Sequence, residues 1–233
     1  MIIYLDNNVI INIEENKLRL PQRQDFIYPF SYVHIEELLE SGERLPQLKD
    51  LRLSTLSHIS DDKYLVNDSL GQLIMMTRTP LQVFQDIANN PLIRYLRQVV
   101  KRDCAKLIYE DEVIKYFNID KRRINNYTPA QLLKEHSDFI EQYITATDDG
   151  NRQASFNSFF NAMDMLGFWQ DKLTPKSSLA RQYDANHAYH ATLCDYFVTD
   201  DKRTRNKANV LYIYYNYQTK AISTTQLLDL IKI

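Results

Sequence analysis

The sequence is poor in cysteine and glycine and contains no long apolar run. Two cysteines in 233 residues, Cys104 and Cys194, exclude a disulfide framework and a four-cysteine zinc site. Four glycines favour long helices over tight hairpins. No apolar run reaches the roughly 18–20 residues that span a bilayer, and the first residues lack the basic start of a signal peptide. We therefore expect a reduced, cytoplasmic protein with no membrane partner.

Composition places the chain among ordinary soluble globular proteins. The hydrophobic share is 44% and the charged share 25%, so disorder does not describe the whole chain. The net charge of −2 does not identify a partner, because a nucleic-acid enzyme needs only a local cluster of basic side chains. The length suits one large domain, or a compact domain with a sizeable insertion.

Short apolar runs predict strands near both ends of the chain, at residues 2–5, 26–28, 196–199 and 220–223. The intervening stretches show helical spacing, and helices are predicted over 7–18, 31–39, 63–77, 92–117, 128–144, 152–171, 184–193 and 225–231. Strands that alternate with helices indicate an α/β fold with a mostly parallel sheet. The predicted core comprises residues 1–42 and 180–233, and 43–179 form a mainly helical insertion.

Acidic residues follow the predicted strands or occupy the neighbouring helices. Asp6 follows the first strand, Asp200 and Asp201 follow the third, and Asp184 opens a predicted helix. In parallel sheets the carboxyl ends of the strands form one crevice, where residues distant in sequence converge. Carboxylates held close together repel one another unless a cation neutralises them, and Mg²⁺ or Mn²⁺ prefers such oxygen ligands.

These stretches resemble the PIN-domain nucleases. The resemblance lies in Tyr4-Leu5-Asp6-Asn7-Asn8-Val9, in the spacing from Ser31 to Glu37-Leu38, and in the segments 184–188 and 194–203. It implies a three-layer α/β/α core. The implied catalytic and metal-binding set is Asp6, Glu37, Asp184 and Asp201. Asn8 and Thr199 would support it, Glu36 and Asp200 are near alternatives, and Asp195 is an extra acid with an open role.

The function implied by the resemblance is metal-dependent hydrolysis of phosphodiester bonds, in RNA rather than DNA, with Mg²⁺ or Mn²⁺ as cofactor. Its products would carry 5′-phosphate and 3′-hydroxyl ends. An antitoxin-like protein partner remains open. The alternative is a catalytically silent PIN-like module that binds RNA or protein.

A basic cluster follows Asp201 directly and is a candidate for phosphate contact. Its members are Lys202, Arg203, Arg205 and Lys207. Two other basic clusters, at 97–106 and 121–123, have the pattern of solvated helix faces.

Structural roles compete with these assignments. Each aspartate that precedes a helix is a favoured N-cap, but capping does not explain Glu37 within a helix. Asp184, His187 and His190 share about a 120° arc of a helix, which leaves a zinc or iron site open, although local packing is the favoured role of the histidines. His34 lies one turn before Glu37, which leaves open that it orients that carboxylate, but it is predicted on a helix surface. Cys104 and Cys194 are predicted in the core.

Overall fold

The computed structural model describes residues 1–21, 25–42, 47–92, 95, 121–147, 151–171 and 174–231. The chain divides into two compact units. We call Met1–Arg97, His190–Asp200 and Thr219–Ile233 the sheet unit, and Gln98–Tyr189 and Asp201–Gln218 the helical unit. The first segment of the sheet unit therefore extends beyond residue 43, where the insertion was predicted to begin.

The centre of the sheet unit is a three-stranded parallel sheet. Its strands are β1 (Ile3–Leu5), β5 (Tyr196–Val198) and β6 (Lys220–Ile222), in the order β1-β5-β6. All residues of β1 are buried, as expected for a short apolar run inside a parallel sheet. The predicted parallel arrangement of these strands is confirmed.

A second sheet lies on the other side of β1 in the sheet unit. It contains β2 (Phe30–Ser31), β3 (Lys63–Asn67) and β4 (Leu73–Thr77), with β2 and β3 parallel and β3 and β4 antiparallel. A parallel bridge between Ile2 and Ile27 connects β1 to the segment that leads into β2. The unit is therefore α/β with mostly parallel pairing.

The predicted helix over 63–77 is wrong, because these residues form the hairpin of β3 and β4. The turn is held by Asp68, whose Oδ1 accepts hydrogen bonds from the backbone N–H groups of Leu70 and Gln72, each at 2.8 Å. Gly71 has a left-handed φ of 75°. The middle of the chain thus supplies two strands, and β3 is paired on both edges, contrary to the prediction that this region contributes no central strand.

Five helices of the sheet unit surround these strands in the described sequence. They are α1 (Asn7–Glu14), α2 (Tyr32–Gly42), α3 (Leu48–Ser60), α4 (Pro80–Asn89) and α10 (Thr224–Ile231). Their apolar faces meet the strands in one core that includes Ile3, Val9, Ile35, Leu56, Val198 and Leu227. Burial of these side chains is the main stabilising contribution.

The described part of the helical unit consists of one short helix and four longer ones. They are α5 (Lys121–Ile124), α6 (Pro129–Thr147), α7 (Arg152–Leu166), α8 (Pro175–His190) and α9 (Lys202–Tyr214), and the last residue of α8 belongs to the sheet unit. The helix α6 packs against α7 and α9. The predicted helix at 128–144 is confirmed, and that over 152–171 is confirmed only as far as Leu166, where Gly167 ends it. The helix predicted over 92–117 falls almost wholly outside the described residues.

The start of α6 has the capping box that the sequence predicts. The N–H of Gln131 donates to Thr128 Oγ1 at 3.3 Å, and the N–H of Thr128 donates to Gln131 Oε1 at 2.9 Å. Within the described part of the chain, every helix is too short or too polar to cross a membrane.

The sign of one substitution distinguishes the hairpin from the predicted helix. A Cβ at Gly71 would meet no atom within 4 Å, so Gly71→Ala is opposed only by the left-handed backbone. We expect it to lower the free energy of unfolding by about 1 kcal/mol. Gly71→Asn should cost less, because asparagine tolerates this conformation. In a helix, Gly71→Ala would instead stabilise by about 1 kcal/mol. Urea denaturation measures both.

Candidate functional site

Asp6 lies at the carboxyl end of β1, and both of its carboxylate oxygens accept hydrogen bonds. Oδ1 accepts from the N–H of Asn7 at 2.7 Å, and Oδ2 accepts from Thr199 Oγ1 at 2.8 Å. The N–H of Asp6 donates to the carbonyl of Val198 at 2.9 Å. Asp6 is only 3% exposed. The carboxylate is therefore fixed across the ends of two neighbouring parallel strands.

Asp6 also caps α1, as the structural role predicted for it requires. Capping accounts for an oxygen acceptor at this position. It does not account for the second oxygen, which accepts a buried hydrogen bond from Thr199, 193 residues away in the chain. The sequence pattern names Thr199 as a supporting residue, and the structure places it in direct contact with Asp6.

The two adjacent glutamates of α2, Glu36 and Glu37, raise the pKa values of different tyrosines. Burial raises the pKa of Tyr4 well above its usual value, and the charges of Asp6 and Glu37 raise it further. Burial also raises the pKa of Tyr64 to about 12, and there the contributing carboxylate is Glu36. The charge of Glu37 therefore affects the same buried tyrosine as that of Asp6, whereas the charge of Glu36 affects Tyr64 of β3. This favours Glu37 over Glu36 as a partner for Asp6.

A buried hydrogen-bond chain attaches the start of α2 to the end of β1. Tyr4 and Ser31 share a hydrogen bond of 2.6 Å between their hydroxyls, and Ser31 Oγ accepts from the N–H of Val33. His34 Nδ1 accepts from the N–H of Ser31 at 3.1 Å, and Nε2 lies 2.8 Å from the carbonyl of Leu5. Since a carbonyl only accepts, His34 is the neutral tautomer with its proton on Nε2.

The prediction that His34 lies on a helix surface is wrong. Its side chain is 1% exposed and connects the helix that contains Glu37 to the strand that precedes Asp6. The sequence contains a signal for this role, because Ser31 and His34 stand at the N-cap and three residues later, where a capping box places a side chain that reaches back.

Asp195 lies at the opposite end of the strands from Asp6. Its Oδ2 accepts from the N–H of Ile2 at 2.8 Å, and its carbonyl accepts from the N–H of Lys220. Four residue steps along a strand separate this level from Asp6, or roughly 13 Å. Asp195 therefore holds the amino ends of the strands, and as an alternative ligand beside Asp6 it is excluded.

Asp200 has a structural role at the end of β5. Its two oxygens accept from the N–H of Thr224 at 2.9 Å and from Thr224 Oγ1 at 2.5 Å. This pair of bonds attaches the start of α10 to the strand. Asp200 thus serves as a cap in the sheet unit, which weakens its standing as an alternative ligand.

Asp184 and Asp201 belong to the helical unit. Asp201 caps α9, with its Oδ1 accepting from the N–H groups of Arg203 at 2.7 Å and Thr204 at 3.2 Å. Asp184 lies within α8, so the prediction that it opens a helix is wrong. The true start has the sequence Thr174-Pro175-Lys176-Ser177, in which the N–H of Ser177 donates to Thr174 Oγ1 at 3.2 Å. That all four acids share one ion stays a prediction.

The basic cluster after Asp201 divides into exposed and buried members. Lys202 and Arg203 are exposed, and Arg205 is half-buried. Lys207 is 1% exposed and pairs with Asp164 and Asp171, so its assignment to phosphate binding is wrong. Its position on the inward face of α9 satisfies two carboxylates of the helical unit.

The supporting role predicted for Asn8 gains no side-chain hydrogen bond among the residues that the structure describes. The side chain of Asn8 is exposed. The neighbouring Asn7 is engaged instead, because its Oδ1 accepts from Arg52 Nη1 at 3.3 Å, and Arg52 also pairs with Glu14. Arg52 and Glu14 join α3 to α1 and were not recognised in the sequence.

The histidines proposed for a zinc or iron site are interior residues. His187 and His190 are both fully buried, and the ring of Tyr32 meets that of His190 edge to face at 5.1 Å. Cys194 is also buried, and burial raises the pKa of its thiol above the usual range. Local packing, the role favoured by the sequence, describes these side chains.

The helical unit contains a buried charge network that the sequence reading missed. Asp164 of α7 has no exposed surface, and its carboxylate accepts from Arg181 Nη1 at 2.6 Å and from Lys207 Nζ. Lys207 Nζ also donates to Asp171 Oδ2 at 2.7 Å. The available signal was a single acid among the mostly apolar residues from Phe159 to Leu166, because a buried charge requires partners.

Asp6 and Glu37 supply carboxylate oxygens, the type of ligand that Mg²⁺ and Mn²⁺ prefer. Mg²⁺ usually keeps several waters and binds one or two carboxylates together with substrate phosphates. Among the residues that the structure describes, no group of three or more histidine, cysteine, aspartate or glutamate side chains could enclose a metal ion.

Comparisons with known proteins identify no relative of this chain. No family model, no curated protein and no solved structure matches the chain.

The hydrogen bond from Thr199 to Asp6 should contribute measurably to stability. Thr199→Val removes the donor from a buried carboxylate and should cost about 1.5–3 kcal/mol. Thr199→Ser keeps the hydroxyl and loses one methyl group, for about 1 kcal/mol. Chemical denaturation of the two variants gives the comparison. A valine variant as stable as the serine variant would show that the bond contributes little.

Proposed function

We propose that the chain is a metal-dependent endonuclease with a three-layer, PIN-like α/β/α core, acting on RNA in preference to DNA. Asp6 and Glu37 hold a Mg²⁺ or Mn²⁺ ion at the carboxyl edge of the parallel sheet. Asp184 and Asp201 enter the acidic set on the sequence pattern alone.

The observation that carries this proposal is the position of Asp6 at the end of β1, bonded to Thr199 at the end of β5. Ligand sites of open α/β sheets lie at this edge. Glu37 supplies a second carboxylate within electrostatic range of the same tyrosine as Asp6. Capping of α1 requires neither Thr199 nor Glu37. A bound ion would use Glu37 as a ligand and Thr199 to orient the carboxylate of Asp6.

A bound ion would make a water molecule more acidic and stabilise the charge that develops on the scissile phosphate. The protein's own part is to orient the ligands. Thr199 and the N–H of Asn7 fix the two oxygens of Asp6. The chain from Tyr4 through Ser31 and His34 fixes the first turn of α2, one turn before Glu37. Such support is what a precise site needs from the residues around it.

A silent PIN-like module that binds RNA or protein is the second candidate. It is favoured by the lack, among the described residues, of a closed group of metal-binding side chains. It is also favoured by the structural uses of Asp195, Asp200 and Asp201. The two candidates differ in whether the protein binds a divalent ion and whether it cuts.

Metal binding is tested by thermal melting of the protein with and without Mn²⁺. The ion should raise the melting temperature of the wild type, because stabilisation follows RT ln(1 + [L]/Kd). Asp6→Asn keeps an oxygen for the N–H of Asn7 but loses the charge, so its Mn²⁺-induced shift should be smaller. Asp195→Asn is the matched control and should shift like the wild type. Equal shifts in all three proteins would remove Asp6 as a ligand.

Cleavage is tested on single-stranded RNA with Mg²⁺ or Mn²⁺. Wild type should cut and a chelator should stop it, while Asp6→Asn and Glu37→Gln should each lower the rate by at least about a hundredfold. Glu36→Gln and Asp195→Asn remove the same charge beside or opposite the site and should retain activity. Metal-dependent cutting that survives the combined loss of Asp6 and Glu37 would contradict the proposal. A metal shift without cutting on a panel of RNAs favours the silent module.

A further inference from the structure

Trp169 is the only tryptophan in the sequence, and it occupies a strained position in the helical unit. Its φ is 47°, in the left-handed region that a bulky L residue adopts only at a cost in free energy. Its N–H donates to Asn125 Oδ1 at 2.6 Å, which holds the backbone there. The residue is only half-buried. Burial of the indole therefore offsets little of this cost in free energy. Backbone outliers of this kind cluster at functional sites.

One exposed cation lies over this indole, and a second lies close to the carboxylate of Asp171, two residues further along the chain. Lys202 Nζ lies 4.4 Å from the centroid of the Trp169 ring. Arg203 is 49% exposed, and its Nη1 lies 3.8 Å from Asp171 Oδ1. Lys202 and Arg203 occupy the first turn of α9, where the helix dipole disfavours positive charge. An anion bound at this turn would relieve that unfavourable placement.

The loop that presents Trp169 is fixed on both sides. It begins at Gly167, which ends α7 in a left-handed conformation with a φ of 81°. Two residues after Trp169, the N–H of Asp171 donates to Asp164 Oδ1 at 3.4 Å, and the carboxylate of Asp171 accepts from the buried Lys207. The backbone that carries the indole is therefore held in place before any partner binds, which lowers the entropy lost on binding.

We infer that Trp169, Lys202 and Arg203, here called the Trp169 patch, bind single-stranded RNA by stacking a base on the indole and pairing the adjacent phosphates with the two cations. The choice of RNA rests on the proposed function. A single strand is required because its unpaired bases expose faces that can stack on an aromatic ring, whereas duplex bases are stacked on one another. An aromatic ring beside cations is the arrangement that recognises such strands.

Binding is measured on the full chain as the Asp6→Asn variant in chelator, so that no cutting occurs. A short oligouridylate is titrated while the fluorescence of Trp169 is recorded, and anisotropy of a labelled oligonucleotide gives the affinity. Bound RNA should quench Trp169 and shield it from acrylamide. The same RNA annealed to its complement should compete weakly.

Substitutions locate the contact. Trp169→Ala should weaken binding by about five- to 150-fold, since that is the usual effect of losing one stacked base. Lys202→Ala and Arg203→Ala should each reduce the slope of log K against log salt by about 0.7. Lys220→Ala removes an exposed cation from the sheet unit and should change neither quantity.

The outcomes separate this inference from the proposed function. Quenching with a weaker Trp169→Ala variant supports the patch even if no RNA is ever cut. Unchanged affinity in Trp169→Ala, or absence of both quenching and shielding in the parent protein, overturns it even if the wild type cuts. Duplex RNA that binds as tightly as the single strand overturns the single-strand assignment. Equal quenching by polyglutamate would indicate an acidic protein partner instead.

Discussion

The buried carboxylate of Asp6 is the constraint on which the sheet unit's edge depends. An ionised carboxylate that is 3% exposed is expensive to bury unless its oxygens accept hydrogen bonds. The N–H of Asn7 and the hydroxyl of Thr199 provide them, and each fixes a different element. The start of α1, the end of β1 and the end of β5 are thereby set relative to one another. These hydrogen bonds would determine the geometry of a metal or substrate site at this edge.

The second constraint is the attachment of α2. A helix that follows a two-residue strand has little backbone pairing to determine its position. The hydrogen bonds through Ser31 and His34 supply that determination, and they end on the carbonyl of Leu5, next to Asp6. Asp6 and Glu37 are therefore related through a buried, directional network rather than through apolar packing alone. Directional bonds of this kind specify one arrangement more strictly than hydrophobic contact does.

Sequence reasoning found the parts of the fold whose signals are local. The strands β1, β5 and β6 were predictable because each is a short apolar run that ends at polar residues. The hairpin of β3 and β4 was not, since its leucines and methionines also suit a helix and its pairing with β2 depends on residues more than thirty positions away. The early start of α8 was predictable in principle from Thr174 to Ser177, which repeats the capping pattern recognised at Thr128.

The candidate site shows the same division between local and non-local information. That Asp6 ends a strand is visible in the sequence, and so is the presence of Thr199 after another. The sequence also implies that Asp195 lies at the opposite end of the sheet from Asp6, because Asp195 precedes the predicted strand at 196–199, and its bond to Ile2 agrees with this. The sequence does not separate Glu36 from Glu37, since adjacent helix residues differ only in the direction that tertiary packing gives them. Lys207 was misassigned for the same reason.

Acidic residues that follow strands are by themselves only weak evidence for metal binding or catalysis. Asp200 and Asp201 each satisfy backbone donors at a helix start, and aspartate is a good residue for that purpose whether or not a metal binds. The acids that argue for metal binding are those that capping alone does not explain. Such an acid either makes a second contact or lies inside a helix. Asp6, through Thr199, and Glu37, inside a helix, meet that condition. Metal binding at this edge would therefore depend on negative charge at these two positions, since neutral side chains could perform every capping role around them.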